Sequence, residues 1–159
     1  MNVPFAIGAE YPRQELLNFL GSKQPQSGVI WGDRELGAIV CTTGGRHGKK
    51  AGYEDLRQAD GTWVYFGQGT SGNQNLESKA NQLISSGEKT IPLFDSREAT
   101  AAEVRARNSW GKFYKYLGVF QTGAYDYFTP ADGKRRGDQL IRFVLVPQGL
   151  LRQITLSFR

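Results

Sequence analysis

The residues of this chain best able to do chemistry are concentrated between Gly52 and Gly72, GYEDLRQADGTWVYFGQGTSG. Tyr53 and Tyr65 offer flat aromatic faces, and Asp55 offers a carboxylate acceptor. Gly67 and Gly69 let backbone approach a ligand with no Cβ in the way. Together these groups can build a slot for a planar ring, stacked from both sides and read along its edge. The same stretch holds Gly67-Gln68-Gly69-Thr70-Ser71-Gly72, a GxGxxG string. In the right setting that string aims backbone N–H groups at a pyrophosphate over a helix N-terminus.

The surroundings decide between the two. A dinucleotide-binding first strand is buried on both faces and reads as a continuous aliphatic run. Here Thr62–Phe66 is aromatic and is entered through an Asp60-Gly61 turn. Asp95 ends the next strand about where a ribose-binding acid would fall, yet no strand–helix alternation follows to build a doubly wound sheet. A nicotinamide or flavin enzyme using the GQGTSG loop is therefore the lesser alternative, and no cofactor is expected. The aromatic slot is the stronger reading, with Tyr53 and Tyr65 as its pair. Trp63 lies on the same strand face as Tyr65 by the period of two, Asp55 lies on the same side as Tyr53, and Phe66, Gly67 and Gly69 complete the lining.

Positive charge collects in two further places. Arg46, His47, Lys49 and Lys50 crowd the glycine-rich TTGGRHGKKA segment, and Lys134, Arg135 and Arg136 crowd a second glycine-flanked tip. With a formal net charge of +5 over 159 residues, two basic tips in one small domain favour phosphate contact. Arg46 or His47 is placed to enter a groove, with Lys49 and Lys50 on phosphates and the 134–136 cluster on the other backbone. A lone histidine with no nucleophile or metal partner near it in sequence is a poor catalyst. One His and one Cys also exclude a His/Cys zinc cage.

The elements that must carry these residues are legible in outline. Pro12 opens a helix over Arg13–Gly21, with Leu16, Leu17 and Leu20 at helical spacing and a glycine stop. Ser27–Trp31 and Gly37–Thr43 read as strands, the second holding Cys41 as a buried, inert thiol. Ala59-Asp60-Gly61 is a hairpin turn. Residues 75–86 form an amphipathic helix on Leu76, Ala80, Leu83 and Ile84, and 89–95 a strand. Residues 98–108 make a helical or exposed excursion. A long hairpin follows, its arms 113–123 and 138–148 and its tip YFTPADGKRRG, and 150–158 adds a last strand. About seven meander-connected strands with two or three helices predict an α+β domain, 1–159, around a curved or closed, mainly antiparallel, barrel-like sheet. No apolar run reaches the roughly 18 residues of a membrane helix, and no signal peptide is expected.

These motifs, taken in order, resemble the SRA (YDG) domain family. The resemblance rests on Gly52-Tyr53-Glu54-Asp55, Asp60-Gly61 and Tyr65-Phe66-Gly67-Gln68-Gly69. It extends to Tyr11-Pro12-Arg13 before the first helix, Asn81, Leu93-Phe94 and Tyr116-Leu117-Gly118. It is nearest to the modified-DNA-binding domains at the N-terminus of prokaryotic HNH-type, modification-dependent endonucleases. The resemblance implies a cytoplasmic reader, nucleoid-associated when bound, and not an enzyme in itself. Its partner would be double-stranded DNA carrying 5-methylcytosine or 5-hydroxymethylcytosine, with a nuclease domain in cis or in trans. The base would be flipped into a pocket of Tyr53, Tyr65 and Asp55, the unstacking cost offset by stacking on the rings. Leu56 stands where many SRA domains carry the acid that reads the base, which bears on the modification preferred. An RNA- or small-ligand-binding module on a related PUA-like barrel is the alternative that shares the fold.

Overall fold

The computed structural model describes residues 3–24, 28–32, 40–43 (backbone only), 55–86 and 90–149. Tyr53, Arg46, His47, Lys49, Lys50, the side chain of Cys41 and the expected last strand lie outside the described residues.

The N-terminal helix forms as its sequence dictates. A short strand β1 (Glu10–Pro12) runs directly into α1 (Arg13–Leu20), and Pro12 sits extended at its N-cap. Gly21 ends the helix in the left-handed region, at φ 67°, a conformation other residues adopt at a cost. Leu16, Leu17 and Leu20 are buried. They pack with Ile30, Phe94, Tyr114 and Tyr116.

The remaining elements are β2 (Val29–Ile30), β3 (Val40–Thr43), β4 (Leu56–Arg57), β5 (Trp63–Phe66), α2 (Lys79–Ser85), β6 (Ile91–Arg97), α3 (Ala101–Arg107), β7 (Phe113–Phe128) and β8 (Leu140–Pro147). Among the described residues eight strands make one sheet in the order β2-β3-β6-β7-β8-β5-β4, with β1 added against β7. All pairs are antiparallel except β3 with β6. Among the described residues no pairing joins β2 to β4, and within them the sheet is curved and open. The expected α+β class and antiparallel, barrel-like sheet are thus the observed architecture.

Strand β7 organises the whole. Its 16 residues reach about 50 Å at the usual rise of a strand. The first half pairs with β6, from Phe113↔Arg97 to Phe120↔Ile91, and the second with β8, from Phe120↔Pro147 to Phe128↔Leu140. The sequence suggested that this arm gives way to loop before Tyr127. The strand instead runs on to Phe128, because Tyr125 and Tyr127 alternate with Asp126 and keep their partners on β8. Two extra residues bend it: the register slips opposite Leu93/Phe94 and again between Thr122 and Ala124. Gly118 beside the first bulge has φ 114°. At the second, a Cβ on Gly123 would lie 2.9 Å from Val146 Cγ2. Bulges of this kind increase twist and coil a sheet around its own core. That core holds Val29, Tyr65, Ile84, Ile91, Leu93, Phe120, Ile141, Phe143 and Leu145.

Helix α2 begins later than its apolar spacing suggests. The Asn75 side chain accepts from the Glu77 N–H, and the Asn75 carbonyl accepts from Asn81 Nδ2. These bonds hold residues 75–78 in a turn, a competition with helix that asparagine side chains commonly win. The excursion at 98–108 is helical, and a reciprocal Thr100–Glu103 capping box starts it.

Glu103 also accepts from Arg97 Nη1 and Nη2, at 2.8 and 2.9 Å, while Arg97 Nε donates to Glu10 at 2.6 Å. This surface network ties β1, β6 and α3 together. Hydrogen bonds from Arg97, and then the Thr100 backbone N–H, lower the Glu103 carboxyl from 4.5 to about 2. A carboxylate held low in the fold stabilises it fully above its unfolded value and loses that contribution as pH falls toward the folded one. Acid unfolding should therefore steepen between about pH 4.5 and 2. Glu103→Gln should flatten that limb in pH-titrated denaturation by lowering stability near pH 7, while leaving stability at the acid end close to that of wild type. Equal acid limbs would show that the network carries no pH dependence.

Candidate functional site

The expected hairpin is present. Leu56↔Val64 and Arg57↔Trp63 pair across the turn, and Gly61 takes φ 90°. Asp60 Oδ1 accepts from both the Thr62 N–H and its hydroxyl, at 3.0 and 2.7 Å. The hydroxyl bond first, then the backbone one, lower the Asp60 carboxyl. Trp63 and Tyr65 share the inward face, as the alternation requires, and Phe66 points the other way to pack edge-on against Phe128.

Where β5 ends, the chain enters a rim over residues 67–74 whose backbone is held at its ends by main-chain bonds to Ile141 and Gln139 and elsewhere by side chains. The Phe66 N–H donates to Asp55 Oδ1 at 2.8 Å. The Gly67 N–H donates to the Ile141 carbonyl at 2.8 Å. Gln68 is gripped at both ends by Asn81: its N–H donates to Oδ1 at 2.7 Å and its carbonyl accepts from Nδ2 at 3.0 Å. Gln74 donates to the Gly67 carbonyl at 2.7 Å and accepts from the Ile141 N–H at 2.8 Å. This crowding explains the glycine at 67, since a Cβ there would meet Asn81 Oδ1 at 2.9 Å and Gln74 Oε1 at 3.0 Å.

The same bonds tell against a phosphate cradle. The N–H groups of Gly67 and Gln68 are already committed. No helix starts at Gly72; α2 begins seven residues later, at Lys79, after the Asn75 turn. The GxGxxG string is a clamped rim.

Each proposed pocket residue now has a place. Asp55 is half-buried and anchors the start of the rim through Phe66. Tyr65 is buried, with 1% of its surface exposed, and packs among the core residues. Its hydroxyl accepts from Gln68 Nε2 at 3.1 Å and donates to the Gly28 carbonyl at 3.4 Å. A base that stacks on this ring must first displace what covers it. Leu56, where a reading acid was missing, is 56% exposed and away from the core.

The second basic cluster divides. Lys134 and Arg136 are exposed and remain available to phosphates. Arg135 does not join them: it is 4% exposed and turned inward. Its Nη1 donates to the Gly69 carbonyl at 2.7 Å, Nη2 to the Gly72 carbonyl at 2.8 Å, and Nε to Asp138 at 2.8 Å. The expectation of a DNA-backbone contact for Arg135 is corrected accordingly. A cation is buried only where it is paired and its donors are used, and those partners lie on the rim. Gln74 was missed by sequence reasoning and Arg135 was expected on phosphates instead of the rim, because a polar residue beside glycines reads as solvated loop. Asn81 was noticed only as part of a motif.

No protein-family model matches this sequence, and no curated protein is a significant match. The likeness lies in the fold. KRYPTONITE, solved with mCHH DNA, an H3(1–15) peptide and SAH, superposes with a TM-score of 0.59 at 15% identity, over 89% of this chain and 31% of its own. The SRA and sulfur-binding domains of ScoMcrA, complexed with phosphorothioated DNA, give 0.57 at 18% identity, over 91% of this chain and 40% of theirs. The modification-dependent TagI restriction endonuclease gives 0.55 at 18% identity, over 90% of this chain and 50% of its own. This chain thus spans between about a third and a half of those proteins, and its fold is SRA-like.

Proposed function

We propose that this SRA-like domain binds double-stranded DNA and selects sites carrying a modified cytosine, serving as the specificity module of a modification-dependent restriction system. The observation that carries the reading is a fold shared over about nine-tenths of the chain with proteins solved on methylated or phosphorothioated DNA. The clamped rim at residues 67–74 adds to it, since a site that reads small chemical differences needs its backbone fixed in advance. The base leaves the stack and enters beside Asp55 and the rim, with Tyr65 beneath and Tyr53 as the other ring. Lys134 and Arg136 hold phosphates. The basic segment from Arg46 to Lys50 supplies the group that fills the gap in the duplex. The domain itself reads and does not cut; a nuclease acts from elsewhere, in cis or in trans.

Matched duplexes carrying cytosine, 5-methylcytosine or 5-hydroxymethylcytosine test this at one stated salt concentration. One modified duplex should bind at least tenfold tighter than the unmodified one, and 2-aminopurine placed beside the modified cytosine should brighten as its neighbour leaves the stack on binding. Equal affinity for all three would sink modified-base readout. Preference for single-stranded RNA over every duplex would select the PUA-like alternative instead.

A further inference from the structure

We infer that Arg135 is a positioning residue for recognition, locking the Gly69–Gly72 rim to the β7–β8 tip so that base discrimination, and not phosphate affinity, depends on it. The inference rests on the modified-DNA reading above and assigns a role within that site. Three consecutive basic residues occupy the tip, and the fold uses them in opposite ways. Lys134 and Arg136 point to solvent while Arg135 is buried between them.

The geometry requires an arginine. One planar fork reaches the Gly69 carbonyl, the Gly72 carbonyl and the Asp138 carboxylate with three different nitrogens, all within 2.8 Å. Lysine, a point donor on a flexible stem, cannot span these acceptors together. The tip that carries the fork is itself compact. Asp138 N–H donates to the Arg135 carbonyl, Arg136 N–H to the Gly133 carbonyl, and Gly137 N–H to the Pro130 carbonyl. On its other side the rim is held by Gln74, which donates to the carbonyls of Gly67 and Gly69, and by Asn81 on Gln68. Gly69, at φ 133°, has little intrinsic preference for its conformation. Without Arg135, the carbonyls of Gly69 and Gly72 lose their charged donor, and the bond from Gln74 to Gly69 is left to hold residues 69–72. Phosphates drawn to Lys134 and Arg136 therefore seat the element that also fixes the rim.

The test compares Arg135→Met and Arg135→Lys with Lys134→Ala and Arg136→Ala in three assays. The ratio of modified to unmodified duplex affinity should fall about tenfold in both Arg135 variants, because a site loosened by about 1 Å loses selectivity before it loses binding. The dependence of log affinity on log salt should stay at the wild-type slope for Arg135→Met and fall by about one for each neighbour. In the free protein, hydrogen exchange at the amides of residues 67–74 should speed up at least tenfold in Arg135→Met and stay unchanged in the neighbours. A salt slope that drops by one in Arg135→Met would make it a phosphate ligand and overturn the inference. Unchanged discrimination or unchanged exchange would overturn it equally. Should wild type show no discrimination at all, the modified-DNA reading fails, while the exchange arm still decides whether Arg135 holds the rim. Where Arg135→Met does not fold, Asp138→Asn, which removes only the anionic partner, is read in the same assays against the same outcomes.

Discussion

Asn81→Leu should destabilise the protein by about 3–5 kcal/mol, although leucine has the same branched heavy-atom skeleton as asparagine. Asn81 is 0% exposed and makes three hydrogen bonds to main chain, two to Gln68 and one to Asn75. Leucine removes all three and leaves one N–H and two carbonyls without that partner. Each buried group so stranded costs about 1–3 kcal/mol, partly relieved where the rim can rehydrate. Chemical denaturation at pH 7 measures the loss. Asn81→Asp should fall as far or further, because a carboxylate keeps the bond from the Gln68 N–H but faces two carbonyl oxygens. A cost below 1 kcal/mol for Asn81→Leu would mean that the rim hydrates freely and is not clamped. Against a total stability of about 5–15 kcal/mol, the expected loss leaves a folded but weakened domain. Its discrimination between modified and unmodified duplex should fall with the rim, in parallel with the Arg135 variants.

The contrast between Asn81 and Arg135 shows how far the sequence could be read. Local rules sufficed wherever one residue type controls its own backbone. The Asp60-Gly61 hairpin, the Gly21 stop and the Pro12 start all appear where chain chemistry put them. Patterning sufficed where a face is buried, so Trp63 and Tyr65 fall together and Leu16, Leu17 and Leu20 line the core. It failed where polar side chains turn inward to serve distant backbone. Nothing in the run Lys134-Arg135-Arg136 says that the middle residue reaches across 66 positions to Gly69. Nor does the sequence distinguish Asp55 as an edge reader from Asp55 as the anchor of the Phe66 N–H. The apolar spacing of residues 75–86 marked a helix but missed its start, because Asn75 and Asn81 spend their amides on the preceding turn.

Tyr65 carries the second large effect, and its burial changes which substitution is informative. Removing the ring to alanine would open a cavity in the core costing about 3–5 kcal/mol, so lost binding in Tyr65→Ala would not separate a stacking role from a packing role. Tyr65→Phe and Tyr65→Leu make that separation. Phenylalanine keeps the ring and gives up only the bonds to Gln68 and Gly28, an expected cost of about 1 kcal/mol. Leucine keeps an apolar filler but no aromatic face, an expected cost of about 2–3 kcal/mol, between a methylene deletion and full truncation. Stability should therefore rank wild type, Phe, Leu. Affinity for the preferred duplex should not follow that ranking smoothly. Phe should bind within threefold of wild type, while Leu should lose a base–aromatic stack of about 1–3 kcal/mol, or about 5- to 150-fold. Titrations below each variant's unfolding transition measure this directly. If affinity instead declines by less than threefold in both, Tyr65 is a core residue alone, and the base finds its second face elsewhere.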